Sequence, residues 1–179
     1  MMKTKIFKSV ITGLALLMTV TLSFSQINYS ASSGYYYPNS GTSNQLSATI
    51  DYDDTTGVIN SFEFDVFLFS FLNTQGSFNM IAWLGGADYF PSMEFESRSI
   101  KEEGEDLTIY GSLYFRGRYM PVTIYAEREE DKNQFTINGK FRIATSDFIM
   151  FVSPRRGIPT YLNMDFSVTF DKNIEVKSQ

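Results

Sequence analysis

Two neighbouring segments, ADYFPSMEFESRSI (Ala87 to Ile100) and LTIYGSLYFRGRYMPVTI (Leu107 to Ile124), carry the clearest structural signal in this chain. Apolar and polar residues alternate in both, which is the pattern of a β-strand with one buried face. An aromatic-proline turn leads into the first strand, and a Gly-centred turn divides the second segment into two strands. The acidic link between the segments is too short for a parallel crossover, so we expect three successive antiparallel strands.

The same period of two continues on either side of these segments. Further strands are predicted from Leu46 to Tyr52, Ile59 to Phe71, Phe135 to Ile143 and Leu162 to Phe170, with a looser strand near Asn28 to Tyr37. The second half of the Ile59–Phe71 strand is apolar on both faces, so another segment should cover its outer face. SFNMIAWL (77–84) does not alternate and predicts a short helix. Its Phe78, Ile81 and Trp83 would provide that cover or plug one end of the fold.

These strands predict an all-β domain. As a flat sheet, seven or eight strands with one apolar face each would leave that face in water and two edges open. A sandwich or a closed barrel buries the face, and the short sequential links favour an antiparallel up-and-down barrel of about eight strands, with a short helix near 77–85. Gly111 and Gly139 face inward, which fits sharp strand bends or a ligand close to the backbone.

The first 25 residues have the features of a secretory signal peptide. Three lysines precede an apolar run from Val10 to Leu22, and the small residues Ser23 and Ser25 predict cleavage after Ser25. A retained membrane anchor is the alternative, but the run is short for a bilayer, which takes roughly 20 residues. We therefore expect a periplasmic or secreted protein whose single domain spans residues 26–179. The chain has no cysteine, which excludes a lipoprotein anchor and disulfides.

The residue types present exclude most kinds of catalytic site. The chain contains no His and no Cys, and so lacks the commonest general base, the commonest zinc ligands and the thiol nucleophile. The carboxylate pair Glu94/Glu96 lies on an outward strand face and the pair Glu102/Glu103 in a turn, where solvated charge is the usual role. An enzyme that uses these carboxylates is the least favoured hypothesis.

DYDDTTG (Asp51 to Gly57) slightly resembles a calcium-binding loop. It lacks the distal glutamate of that motif, and Asp and Gly are also the residues that a hairpin turn prefers. We therefore predict a turn, no metal site and no cofactor. The net charge of −5 argues against binding to nucleic acid or to an anionic membrane surface.

Two other features could bind a ligand. Arg116 and Arg118 flank Gly117, and Arg155 and Arg156 lie in a second loop; each pair could hold a phosphate or consist of ordinary surface arginines. The inward aromatic stripe is either a plain β core or the wall of a cavity for a flexible apolar ligand. Five methionines would add adaptable surface to such a cavity: Met80, Met93, Met120, Met150 and Met164.

Several phrases of the sequence, in their order, resemble the YceI-like family of polyisoprenoid-binding proteins. GGADYFPSMEFESRSI (Gly85 to Ile100) is similar to the family's aromatic-turn phrase, with Pro91, Met93, Phe95 and Ser97 in register. The family's next phrase is matched by Gly111, Leu113, Gly117, Pro121, Val122 and Ile124. LSATIDYD (Leu46 to Asp53) and the pair Asp147-Phe148 resemble two more phrases. Arg116, Tyr119, Met120 and Thr145 depart from the family's polar positions, and its N-terminal His-Ser is absent.

The resemblance implies a lipocalin-like barrel that holds a polyisoprenoid or another long-chain lipid in its interior, for transport or storage and not for catalysis. The predicted lining consists of Phe64, Val66, Phe95, Leu113, Phe115, Ile124, Phe141 and Phe166. Arg116 and Arg118 are the candidates for contacts to a head group. No nucleic acid or metal is expected as a partner, and a homodimer is left open. The alternative is a structural barrel with a solid core, no lipid and a partner surface of Tyr110, Tyr114 and Tyr125.

Overall fold

The computed structural model describes residues 21–31, 40–53, 55–73, 79–148 and 158–172. Ten strands form one antiparallel sheet that curls around one core. The strands are β1 (Thr21–Ala31), β2 (Ser40–Ser43), β3 (Leu46–Asp53), β4 (Val58–Phe67), β5 (Leu72–Asn73), β6 (Ser92–Glu103), β7 (Asp106–Phe115), β8 (Arg118–Glu130), β9 (Gln134–Ala144) and β10 (Tyr161–Asp171). The helices are α1 (Met80–Gly85), α2 (Thr145–Phe148) and a 3-10 helix (Leu68–Ser70).

Neighbouring strands follow the order β3-β4-β6-β7-β8-β9-β10-β1-β2-β5. From β6 to β10, each strand pairs with the next strand in the sequence, as in an up-and-down barrel. β1 pairs with β10, and Cα atoms of β1 and β3 come within 8 Å of each other, so the sheet curls back on itself. The prediction of an all-β antiparallel barrel is confirmed. The short strands β2 and β5 come in addition to the eight expected.

The two ends of the barrel differ in what closes them. At one end, which we call the helix end, lie α1, α2 and the β7–β8 turn at Arg116 and Gly117. At the other, which we call the turn end, lie the β3–β4, β6–β7 and β8–β9 turns together with the last residue of β10. Every long strand runs between these two ends, so the inward side chains form one continuous column.

Side-chain burial follows the alternation that the sequence predicts, with interruptions in β4 and β6. In β4 an irregularity opposite Asp51 and Tyr52 leaves Ile59 and Phe62, three residues apart, both buried. The other interruption is in β6. Met93 and Phe95 are buried, but a bulge between Ser97 and Ser99 shifts the register by one residue. Ser99 is consequently exposed and Ile100 packs against the core instead. The hydroxyl of Ser97 accepts the backbone N–H of Phe62 at 2.8 Å beyond the end of the β4–β6 ladder.

The prediction of one long strand from Ile59 to Phe71 is wrong, because β4 ends at Phe67 and a 3-10 helix follows. The outer face of this segment is not covered as expected. Phe67 and Phe69 are 47% and 50% exposed, and their rings lie 5.7 Å apart. The predicted helix forms and plugs the end of the barrel, with Ile81 buried and Trp83 half-exposed. Phe78 lies outside the described residues.

β1 begins earlier than the sequence predicts, within the proposed signal peptide. Thr21 pairs with Asp171 of β10, so cleavage after Ser25 would remove the first five residues of the strand. The remainder still pairs with β10, and Ile27–Ser30 also pair with β2. Cleavage at this site stays a prediction. Among the described residues, no helix has the length and apolar character needed to cross a bilayer.

Candidate ligand-binding interior

Aromatic rings from opposite walls meet in the middle of the barrel. The ring of Phe64 on β4 lies 5.4 Å from Phe95 on β6, 5.9 Å from Phe141 on β9 and 5.7 Å from Phe166 on β10. These four belong to the predicted lining, of which every member is at most 6% exposed: Phe64, Val66, Phe95, Leu113, Phe115, Ile124, Phe141 and Phe166. The structure therefore brings the predicted residues together in one interior.

Two inward glycines make room for these rings. A Cβ at Gly111 would lie 2.4 Å from Cζ of Phe95, and a Cβ at Gly139 would lie 2.2 Å from Cζ of Phe166. Both distances are far shorter than a van der Waals contact, so neither position accepts a side chain without moving the ring. The space above each glycine is occupied by an aromatic ring of the protein itself.

The interior is almost wholly apolar. Apart from the hydroxyl of Tyr29, the buried polar side chains among the described residues are those of Ser43, Ser112 and Thr145, none of which carries a charge. Thr145 donates from Oγ1 to the carbonyl of Pro159 at 2.7 Å. Three of the five methionines are buried, Met80, Met93 and Met164; Met120 is half-buried and Met150 lies outside the described residues.

Tyr29 of β1 anchors the helix end. Its hydroxyl donates to Oδ1 of Asn73 at 2.6 Å, beneath the first turn of α1. Burial raises the pKa of Tyr29 to about 12, although hydrogen bonds from the backbone of Met80 and Ile81 act in the opposite direction. A Cβ at Gly41 would meet the Tyr29 ring at 2.6 Å, which explains a glycine in β2.

Polar side chains hold both ends of α1. Asn79 caps its first turn by accepting the N–H of Ala82 at 3.0 Å, while its own amide donates to the carbonyls of Leu68 and Phe71. Arg116 donates from Nη1 to the carbonyl of Leu84 at 2.7 Å in the last turn. α1 is therefore fastened to the barrel wall at each end.

Arg116 and Arg118, the predicted head-group residues, lie at the turn that faces α1. Arg116 has a φ of 51° and Gly117 a φ of 72°, a pair of left-handed residues that suits a two-residue hairpin. The ring of Phe90 packs so closely on Gly117 that a Cβ there would lie 2.6 Å from it. A head-group role for the two arginines stays a prediction. Arg155 and Arg156 lie outside the described residues.

Arg128 closes the turn end, a role that is not among the sequence predictions. Its side chain is 11% exposed, donates to the carbonyl of Gly57 at 2.8 Å and pairs with Glu130 and, at 3.6 Å, Glu102. The guanidinium also lies 5.3 Å from the ring centre of Tyr52. Arg128 is two residues beyond the inward Ala126, so the alternation of β8 places it on the inward face.

Glu130 connects this cluster to the last residues of β10. Hydrogen bonds from Lys172 and then Arg128 lower the pKa of Glu130 below its ordinary value. Glu102 also accepts the backbone N–H of Ile59 at 2.8 Å, where β4 and β6 have parted. Charged side chains thus replace ladder hydrogen bonds at this end of the barrel.

The other candidates for chemistry lie outside the interior. Glu94 and Glu96 point outward, directly opposite Asp65 and Glu63. Asp53 accepts backbone N–H groups of the turn that follows it, and hydrogen bonds from residues 55 and 56 lower its pKa. The described residues include no group of three or more acidic side chains arranged to hold a metal ion.

An antiparallel barrel with an apolar, aromatic interior and two closed ends belongs to the lipocalin-like class of folds. A model of the YceI-like domain matches residues 19–177, and the chain therefore belongs to the YceI-like family. A search of curated proteins finds no match.

Solved structures with the same fold include proteins of two bacteria. BcnA of Burkholderia cenocepacia has a TM-score of 0.68 and 19% identity, over 81% of this chain and 95% of its own. The YceI protein of Campylobacter jejuni has a TM-score of 0.62 and 17% identity, over 74% of this chain and 84% of its own. A mutant of the latter with a monobromobimane guest has a TM-score of 0.64 at the same identity and coverage. At these identities the likeness concerns the fold alone.

Proposed function

We propose that this protein is an exported, non-catalytic carrier that holds a polyisoprenoid or a similar long-chain lipid in the barrel interior. The observation that carries the proposal is the continuous inward column of apolar and aromatic side chains, in which Arg128 lies only at the turn end and no fully buried member among the described residues is charged. Each CH₂ group of a chain buried there contributes about 0.8 kcal/mol. An unbranched or prenyl chain therefore needs no polar anchor inside the barrel.

A chain that enters this interior has to displace aromatic rings. Phe64, Phe95, Phe141 and Phe166 fill the middle of the barrel with ring centres 5.4 to 6.4 Å apart. Buried methionines next to them have three rotatable bonds and adapt readily to a changed shape. The ligand-bound interior is thus one in which rings have turned toward the wall and methionines have repacked.

Export and the absence of catalysis are parts of the same proposal. A basic segment, an apolar run and a Ser-Phe-Ser cleavage site support export to the periplasm or medium, with the mature chain starting at Gln26. The lack of His and Cys supports binding and not catalysis. Intact-mass measurement of the exported protein tests the export part, since cleavage after Ser25 removes residues 1–25.

A structural barrel without a lipid is the second candidate, and the ring contacts around Phe64 favour it. In that case the half-exposed Tyr110 and the more exposed Tyr125 would serve a partner protein. Tyr114 would contribute less, since it is partly buried and its ring lies 4.9 Å from that of Tyr119. The two functions differ in whether the interior exchanges its own rings for a ligand.

Reconstitution with defined lipids separates these candidates. The protein is unfolded in guanidinium, extracted with organic solvent, refolded and melted with and without farnesol or undecaprenol. For a carrier, ligand at about 100 times its Kd adds about 2.7 kcal/mol and raises Tm by roughly 5–10 °C. Tyr110→Ala on the outer wall is the control and should respond like the wild type. An unchanged Tm with either lipid, in a protein that refolds cooperatively, would contradict the carrier function.

A further inference from the structure

The barrel wall is not hydrogen-bonded over its full height between β8 and β9. The ladder between them joins Tyr125–Glu130 to Phe135–Lys140, in the half nearer the turn end. Toward the helix end, β8 remains paired with β7 as far as Arg118, and β9 with β10 as far as Ala144. Within the described ranges, no ladder joins these upper halves of β8 and β9 to each other. The two strands therefore part on the side of the helix end.

A proline in β8 agrees with this separation. Pro121 lies in the part of β8 that has lost its β9 neighbour, and it has no N–H to donate to a ladder. Proline is found in sheets mainly at edges and bulges. Although β8 stands in the middle of the sheet order, it is an edge toward β9 at this height, which explains how it accommodates Pro121.

A concavity of about 440 Å³ lies on the outer wall at this place. It is lined by Thr123 and Tyr125 of β8, Lys140 and Arg142 of β9, and Asn163 and Asp165 of β10. We call it the β8–β9 groove. Phe141 and Met164, whose side chains are buried, lie behind it.

Phe141 connects the β8–β9 groove to the interior. Its ring is 6% exposed and lies 5.9 Å from the ring of Phe64 and 6.4 Å from that of Phe166. Phe141 thus lines the groove together with Met164 and also belongs to the aromatic interior. A turn of its ring away from the gap between β8 and β9 is the movement that would connect the two.

The charge at the groove is unusual for this acidic chain. Lys140 and Arg142 are exposed and line it, and the single carboxylate among its lining residues is Asp165, which lies directly opposite Lys140 on β10. Arg142 is held in place, since its Nε donates to Oδ1 of Asn163 at 3.1 Å and its guanidinium lies 5.1 Å from the ring centre of Tyr161. Arg and Lys in a fixed position are the usual partners of phosphate groups.

A second concavity on the outer wall has the opposite charge. It measures about 450 Å³, lies over β3, β4 and β6, and is lined by four carboxylates, Glu63, Asp65, Glu94 and Glu96. An anionic ligand would be repelled there and attracted to the β8–β9 groove. The two concavities are similar in size, so one serves as a matched control for the other.

We propose that the β8–β9 groove admits a lipid with an anionic head group, such as a phosphate, and binds that head group. Lys140 and Arg142 bind the anionic head group in the groove. The hydrocarbon chain of the lipid passes the displaced Phe141 ring into the aromatic interior. This inference rests on the proposed carrier function, to which it adds the location of uptake and the class of head group.

Binding of three probes tests the head-group part. Farnesyl phosphate, farnesol and inorganic phosphate are titrated by calorimetry into the refolded, lipid-free protein. The double variant Lys140→Gln/Arg142→Gln should bind farnesyl phosphate about tenfold more weakly than the wild type, in line with the loss of one or two charged hydrogen bonds. Its affinity for farnesol should be unchanged. Lys101→Gln, an exposed lysine at the turn end, should change neither affinity.

Blocking the groove tests the uptake part. Because the chain has no cysteine, Thr123→Cys provides a single thiol in the groove and Thr49→Cys a single thiol in the acidic concavity. After reaction with a bulky maleimide, the Thr123→Cys protein should take up farnesyl phosphate at least about tenfold more slowly than before labelling, since uptake past the label needs the strands to part further. The labelled Thr49→Cys protein should keep its rate.

The outcomes distinguish this inference from the function on which it rests. Equal binding of both farnesyl probes, unchanged in the double variant and unaffected by the label at residue 123, would overturn the groove and leave the carrier function intact. If inorganic phosphate binds as tightly as farnesyl phosphate and competes with it, the farnesyl group adds nothing to the affinity. That result would identify a phosphate site and overturn lipid uptake. Binding of neither farnesyl probe by the wild type would overturn both proposals.

Discussion

Gly139 and Phe166 stand directly opposite each other on β9 and β10, and the ring of Phe166 fills the space that a side chain at Gly139 would need. A Cβ there would lie 2.2 Å from Cζ of the ring. On the other wall the ring of Phe95 fills the space at Gly111 in a similar way, although Gly111 pairs with Ser97 and a Cβ there would also lie 2.4 Å from the carbonyl oxygen of Glu96. Glycine thus allows large rings to lie flat against the wall of a narrow barrel.

Gly139→Ala should lower the free energy of unfolding by about 1–3 kcal/mol, because the added methyl group forces the Phe166 ring out of its place. Combining it with Phe166→Leu should cost less than the sum of the two single changes, since the smaller side chain gives the methyl group room. Urea denaturation of the two single variants and the double variant measures their free energies of unfolding. Ser47→Ala on the outer face of β3 should cost less than about 0.5 kcal/mol. Strict additivity of the pair would show that the ring and the glycine do not share this space.

Arg128→Met should be the most costly change of a charged residue among those described at the turn end. It removes the hydrogen bond to Gly57 and leaves Glu102 and Glu130 without this partner, while the methionine keeps the packing on Tyr52. We expect a loss of about 2 kcal/mol in urea denaturation at neutral pH.

The exposed pair of Lys101 and Glu103 provides the comparison for Arg128. Both side chains are more than 60% exposed, so Lys101→Met should cost no more than about 0.5 kcal/mol. Equal losses for the two variants would contradict a special role for Arg128.

The stability that Glu130 contributes through its lowered pKa should be present above pH 4.5 and lost as the pH falls further.

Tyr29→Phe should make stability less sensitive to alkaline pH. The folded-state pKa of Tyr29 is about 12, whereas the unfolded value is 10.0, so the wild type loses stability as the pH rises from about 10 to about 12. Below pH 10 the variant should be less stable, since Asn73 loses the hydrogen bond from the hydroxyl. The difference between the two proteins should shrink by on the order of 2 kcal/mol across this pH range. A difference that is constant with pH would show that Tyr29 is not buried in the folded state.

The sequence predicts the faces of the strands well, and it fails where the tertiary structure interrupts a strand. Alternation in β7 holds over the whole strand because it is paired on both sides. In β6 the bulge at Ser97 reverses the alternation, and nothing in the neighbouring residue types marks it. The end of β4 at Phe67 was missed for a similar reason, since an apolar run suits a strand and a 3-10 helix equally.

The interior could be predicted from the sequence, but its closures and the groove could not. Phe64, Phe141 and Phe166 follow from the period of two. The roles of Arg116 and Arg128 depend on carbonyl groups of residues 84 and 57, which only the folded chain brings near them. Lys140 and Arg142 look like ordinary outward residues, because alternation does not record where two neighbouring strands part.

The most direct test of the carrier function is native mass spectrometry of the protein purified from cells without detergent or solvent extraction. The carrier function predicts a population whose mass exceeds that of the polypeptide by one lipid, which is released on collisional activation and contains a long prenyl or acyl chain. A single species at the mass of the bare polypeptide, from cells that contain such lipids, would contradict the carrier function and support a solid barrel.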